Sequence, residues 1–318
     1  MYVGDGWALT RASSYSACVV AAARGPAQRG VIHSVFPAAA NITFPGDFIL
    51  SLNAVTSPCM PNGLQLSALP ATFPFSALRA GMPVLFGAQR LLIEAVDCSL
   101  DLSTCTQWDP HIERPAQLDM EIVAKNRDWL LAWLPVWGTG RARRGAWGAL
   151  THQVHNVRSM AQYLCGRGVG LTPTGDDILA GWMAVNWLLY GPSACLLEAC
   201  QQIVTVAKQQ THLLSQCWLG YAAAGNVAMP IKALLDALTK EDDIQLAAAM
   251  QAVLSMGATS GHDLMQGILS GLAGYPQGPI HFKEETIWLC HPFAWRLAQA
   301  LSAAKDLCPA RDPSLRSG

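Results

Sequence analysis

One phrase occurs twice in this chain and constrains its fold more than any other feature. The first copy is Thr174-Gly175-Asp176-Asp177-Ile178-Leu179-Ala180-Gly181, and the second is Ser260-Gly261-His262-Asp263-Leu264-Met265-Gln266-Gly267. Both read hydroxyl, Gly, any residue, Asp, two aliphatics, any residue, Gly. The shared aspartates, Asp177 and Asp263, lie 86 positions apart, so the pattern is a duplicated local element and not a short tandem array. Each copy reads as the start of a helix. The hydroxyl residue suits the N-cap, where its oxygen accepts from an orphan backbone N–H. The Asp three positions on suits the N3 place of a capping box. Gly at the first helical position costs roughly 1 kcal/mol against Ala. Its missing side chain lets a ligand or a neighbouring helix approach the backbone closely.

The first copy carries more. Gly166-Arg167-Gly168-Val169-Gly170-Leu171-Thr172-Pro173 precedes it, a glycine-rich loop feeding a helix N-terminus. Exposed N–H groups and the helix dipole make such a place an anion site. Asp176 and Asp177 bring two negative charges to the same turn, which would repel an anion alone. A bound Mg²⁺ would resolve the conflict, because carboxylates and phosphate oxygens both suit a hard cation. A purely structural account also exists: the acids complement the dipole, and the small residues permit close packing. The loop is not a dinucleotide fingerprint, since 168–173 ends in Pro and not Gly, and no GxxxxGK[ST] occurs.

Composition narrows the class. Only 14% of the 318 residues are charged and 51% are hydrophobic, against roughly 25% charged in ordinary soluble domains. So uncharged a chain implies surface hidden in a partner, hence an oligomer or a heteromeric complex. The net charge of −1 gives no electrostatic reason to bind nucleic acid. The longest apolar stretch, 178–190, is too short to cross a membrane and contains Asn186. Asp5 near the start, without a basic segment ahead of an apolar one, argues against a signal peptide and for a cytoplasmic protein. Ten scattered cysteines with no CxxC read as reduced and mostly buried. His152 and His155 have metal-compatible spacing but no third ligand. Arg141, Arg143 and Arg144 form the dense basic cluster, suited to an anionic substrate or to a solvated helix start. No GxSxG occurs.

Short apolar or alternating runs at 18–20, 30–36, 41–44, 48–52 and 90–93, punctuated by Pro45-Gly46-Asp47 and Pro61-Asn62-Gly63, predict strands of a small antiparallel barrel or sandwich. Residues 70–83 form a turn-rich connector. From about Leu118 the period becomes helical, with segments at 120–133, 147–164, 176–190, 195–209, 213–223, 231–238, 244–254, 263–272 and 284–304. Gly225-Asn226 and Gly257 are stop signals. Gly267, Gly271 and Gly274 place small residues along one helix. The expectation is an α+β chain: a β-rich domain over 1–117, an all-α domain over 118–310, and a disordered tail over 311–318.

The run Gly168-Val169-Gly170-Leu171-Thr172-Pro173-Thr174-Gly175-Asp176-Asp177-Ile178-Leu179-Ala180-Gly181 resembles the signature of the AllH family. Residues 257–264 are similar to its second signature. His33-Ser34-Val35-Phe36, with Asn41 downstream, is similar to its opening strands. The family motif commonly has Ser where Thr174 stands, which keeps the hydroxyl. The resemblance implies one subunit of a bacterial oxamate carbamoyltransferase of anaerobic allantoin and purine breakdown. There oxalurate and phosphate give oxamate and carbamoyl phosphate, from which a carbamate kinase makes ATP. It also implies two partner subunits, one of them FdrA-like and related to acyl-CoA synthetases. The Ser-Thr-Arg-Thr phosphate loop of ordinary transcarbamoylases is absent, so any carbamoyl phosphate site is of another kind.

On this reading Gly168, Gly170, Thr172, Thr174, Gly175, Ser260 and Gly261 bind substrate oxygens. Asp176 and Asp177 hold Mg²⁺ or orient the reacting amide. His262 and Asp263 join the chemistry from the second helix start. Two other readings stay open: a non-catalytic scaffold subunit, and a stand-alone Mg²⁺-dependent amidohydrolase.

Overall fold

The computed structural model describes residues 12–67, 73, 75–133 and 156–273. The basic cluster at 141–144, the His152/His155 pair, Gly274, the helix expected at 284–304 and the tail all lie outside the described residues.

Among the described residues nine strands form one sheet: β1 Ala12–Ser16, β2 Gln28–Phe36, β3 Ala39–Thr43, β4 Ile49–Asn53, β5 Gly63–Leu66, β6 Pro83–Gly87, β7 Arg90–Ile93, β8 Cys98–Asp101 and β9 Thr106–Trp108. Their order is β8-β7-β6-β2-β3-β4-β5-β1-β9, and the sheet is a strand-rich half-barrel. It is mixed, because β4 pairs parallel with β5 and β1 parallel with β9. Alternation selects the inner face: Ile32, Ile42, Leu50, Leu52, Leu64 and Leu66 meet Phe73, Phe75 and Phe86 in one buried cluster. The run at 18–20 is not a strand. Ser16 Oγ accepts from the Cys18 N–H at 3.2 Å, and the chain turns into a short helix, α1 Val20–Arg24, whose alanines favour it. At 61–63 a turn closed by Gly63 N–H to Met60 O (2.8 Å) opens β5, as the punctuation predicts.

The helical region follows. Its elements are α2 Met120–Trp133, α3 Val157–Leu164, α4 Thr174–Tyr190, α5 Ala194–Gln210, α6 Leu213–Ala223, α7 Met229–Ala237, α8 Asp243–Leu254 and α9 Ser260–Ala273. The α+β class expected from the sequence holds. A second apolar cluster fills this region, built on Leu179, Met183, Leu234, Met250, Met265 and Ile268. The strap after β9 ties the two parts together. Ile112 N–H donates to Gly225 O (2.8 Å), Val227 N–H to Pro110 O (3.0 Å) and Met229 N–H to Cys59 O (2.9 Å).

Helices α4 and α9, which carry the two copies of the phrase, pack side by side in parallel. A Cβ built on Gly181 would lie 2.1 Å from Leu264 O, and one on Gly267 would lie 2.0 Å from Ile178 O. These contacts are reciprocal. Leu264 is the counterpart of Ile178 and Gly267 of Gly181, so the two copies are related by a local pseudo-two-fold axis. Gly271 continues the seam against Val185. Gly181 and Gly267 bring backbone against backbone, while Gly271 makes room for the Val185 and Asn186 side chains.

Candidate functional site

The parallel packing brings both helix starts to one place. Thr172 Oγ1 and Ser260 Oγ lie 3.1 Å apart, so the two motifs meet in space. Asp176, Asp177 and Asp263 are all buried there. Each helix N-terminus carries the equivalent of about half a positive charge. Two of them side by side make the place electropositive before any side chain is counted.

The local geometry departs from the capping box. Asp176 N–H and Asp177 N–H both donate to Pro173 O, at 2.9 and 3.2 Å. Pro173 is therefore the N-cap of α4, with no side-chain cap, and Thr174 is the first helical residue. In the second copy His262 and Asp263 donate to Thr259 O at 3.0 and 3.1 Å, the same arrangement one residue before Ser260. Thr174 and Ser260 are not N-caps, and the glycines sit at the second helical position. Proline wins at Pro173 because its fixed φ and missing N–H suit a helix boundary.

Three expected site residues have other work. Gly175 N–H donates to Arg167 O and Gly261 N–H to Met256 O, both at 2.9 Å, so neither points a donor at a ligand. Their missing side chains serve packing: a Cβ would fall 2.0 Å from Leu164 O at Gly175 and 2.0 Å from Val253 O at Gly261. Asp176 accepts from Gly166 N–H at 2.9 Å with one oxygen and from Thr211 Oγ1 with the other. It fastens the loop before α4 to the loop before α6, and both of its oxygens are engaged. These bonds give Asp176 a structural role. No sequence signal marked Gly166 or Thr211 as its partners.

Asp177 behaves differently. It is 6% exposed, and its Oδ2 is buried with no hydrogen-bond partner among the described residues. Burial pushes its carboxyl well above the usual range. Asp263 and Asp176 nearby push the same way, while the Ser260 and Thr172 hydroxyls pull it back only in part. The shift favours the protonated form of Asp177, the form able to donate, and a bound cation would pull the other way. Asp263 is fully buried on the facing helix, and His262 occupies the place equivalent to Asp176. Among the described residues no group of three or more His, Cys, Asp or Glu is placed to hold a metal ion. Asp177 with Asp263 offers two carboxylates at most. That is the number a Mg²⁺ ion takes when substrate oxygens and water complete its shell.

The loop ahead of α4 is exposed at 167–170. Gly168 and Gly170 have φ of +128° and +92°, values that favour glycine. Among the described residues no backbone carbonyl takes an N–H from 168–172. Asn41, by contrast, is fixed in the sheet, donating to Ser34 Oγ (3.0 Å) and accepting from Ser51 Oγ (2.7 Å).

A family model described as oxamate carbamoyltransferase subunit AllH matches residues 164–272, and the AllH family N-terminal domain matches residues 11–107. The chain belongs to the AllH family. No solved structure matches it significantly. The first AllH match starts at the last residue of α3 and stops within α9, so it spans both helix starts, both loops and every residue of the site just described. The family describes a subunit of a carbamoyltransferase, which implies other subunits. Among the described residues no helix is long and apolar enough to cross a membrane.

Proposed function

We propose that this chain is the subunit of a carbamoyltransferase complex that binds the small anionic substrate, in the reaction oxalurate + phosphate → oxamate + carbamoyl phosphate of allantoin and purine catabolism. One observation carries the reading. The unpartnered Oδ2 of buried Asp177 sits at the junction of two parallel helix starts, beside the Thr172 and Ser260 hydroxyls. Backbone N–H groups of the loop at 168–172 would take phosphate or carboxylate oxygens. Asp177, with Asp263 facing it, would either donate to the reacting amide or hold Mg²⁺ against the same oxygens. Phosphorolysis builds negative charge on the carbamoyl oxygen, and fixed donors stabilise that charge most in the transition state. An FdrA-like subunit and a second partner would complete the enzyme in the cytoplasm. The low charge content supports such an assembly.

Calorimetric titration of the chain with carbamoyl phosphate, with and without Mg²⁺ and repeated on Asp177→Asn, tests this. Binding lost in the variant supports the site, and its Mg²⁺ dependence decides between the two roles. The internal bonding of Gly175, Asp176 and Gly261 favours a second reading, a scaffold subunit whose duplicated helix starts only pack. Equal titrations of wild type and variant would favour it.

A further inference from the structure

The pseudo-two-fold supplies an internal control for the loop before α4. Arg167 N–H donates to Leu164 O three residues back, and Arg167 O accepts from Gly175 N–H. Met256 does the same in the second copy, with Val253 O and Gly261 N–H. Arg167 and Met256 are therefore equivalent. From Arg167 to Gly175 is eight residues, and from Met256 to Gly261 is five. The first loop holds three residues more than the turn needs: Gly168, Val169 and Gly170, once the residues preceding each helix are paired off from Gly175 and Gly261 backwards. These three are exposed, Val169 at 89%, and a Cβ on Gly170 would meet nothing within 4 Å. Nothing in the packing calls for Val169 or Gly170; at Gly168 a Cβ would fall 2.5 Å from Thr174 N, so this glycine lets the insert fold back on the helix start.

Arg167, at the root of this insert, is also exposed. Its backbone is held at both N–H and C=O, while its guanidinium rests over the Tyr163 ring, 4.0 Å from the centroid. Among the described residues no carboxylate pairs with it. An exposed cation on a ring is weakly held, and the guanidinium fork matches a carboxylate or phosphate better than an aromatic face.

Building on the proposed site, we propose that Arg167 and the insert 168–170 form its anion clasp. Arg167 takes the charged end of the substrate, a carboxylate or phosphate group, and the N–H groups of the insert close on the same oxygens. The second copy, with Met256 in place of Arg167 and no insert, lacks the clasp and leaves the site one-sided.

The test uses the full chain titrated with carbamoyl phosphate, oxamate and inorganic phosphate, comparing wild type with Arg167→Gln, Arg167→Lys, deletion of 168–170, and Asp177→Asn. Arg167→Gln is expected to weaken binding by about tenfold or more, as befits a lost charged hydrogen bond. Arg167→Lys should recover part of it, and the deletion should remove binding while leaving the melting temperature unchanged. The ligand most weakened by Arg167→Gln identifies the end that it grips. If Asp177→Asn abolishes binding while Arg167→Gln and the deletion leave it intact, the clasp is wrong and the site stands. If wild type binds none of the three, both fall.

Discussion

Substituting alanine at Gly267 sets two physical effects against each other. In the middle of a helix Ala is favoured over Gly by roughly 1 kcal/mol. At Gly267, though, the new Cβ would lie 2.0 Å from Ile178 O and 2.8 Å from Trp182 N, both backbone atoms of α4. Ordinary contact begins near 3.4 Å, so α9 must retreat by about 1.4 Å, and no side-chain rotation relieves the clash. Overpacking of this kind costs about 1–3 kcal/mol, and here it sits at the upper end because the obstacle is main chain. Net destabilisation of about 2 kcal/mol follows, a fall in Tm of roughly 4 °C for a chain of this size. Gly220 is the matched control: it is also helical, and nothing lies within 4 Å of its Cβ position. Gly220→Ala should leave Tm unchanged or raise it. Thermal denaturation of both variants reads the contrast directly. If Gly267→Ala melts at or above wild type, the backbone-to-backbone seam is wrong. Because the seam sets the 3.1 Å approach of Thr172 to Ser260, Gly267→Ala should also weaken carbamoyl phosphate binding, and Gly220→Ala should not.

Asp177 has its carboxyl pushed up by burial, so its contribution to stability is full at low pH and is lost as pH rises through the raised value. Asp177→Asn, which stays neutral, should therefore gain in Tm relative to wild type between pH 5 and pH 9; a flat difference would show that Asp177 is ionised throughout. Asp176→Asn removes a charged acceptor from Gly166 N–H and Thr211, with an expected loss of about 1.5–3 kcal/mol, seen as a Tm lower by several degrees with ligand stoichiometry kept. Burial pushes the thiols of Cys165, Cys200 and Cys217 up to about 12, while Cys195 is exposed. Brief alkylation at pH 8 followed by peptide mapping should label Cys195 and spare the other three.

Helices were legible in this sequence because their apolar period runs for three turns or more. Residues 120–133 and 213–223 coincide with α2 and α6 to the residue. Short strands were less legible. β5, β8 and β9 span three or four residues, too few for alternation to register, and β5 and β9 pair with β1, remote in sequence. The run at 18–20 misled because β-branched valines outweighed the alanines that follow, while the cap from Ser16 is a local hydrogen bond invisible to periodicity. The duplicated phrase announced two like helix starts, and the structure joins them. What it hid was the division of labour between neighbours: Asp176 and Asp177 are identical in type, yet a rotation of about 100° along the helix turns one toward Gly166 and Thr211 and the other toward Ser260.

That division follows from the seam. Helices that pack in parallel at glycine distance place like dipole ends together, an arrangement that needs negative charge or a bound anion nearby. A carboxylate in each first turn supplies it, but two buried carboxylates facing one another cannot both ionise cheaply. Burial and that repulsion raise the Asp177 carboxyl, which makes its protonation responsive to what enters. A cation at Asp177 displaces the proton, so binding that strengthens with rising pH would favour Mg²⁺. An anion held by the Asp177 carboxyl itself needs that proton, so binding that weakens with rising pH would favour direct donation. The pH dependence of affinity thus separates the two chemistries that the same pair of helix starts can support.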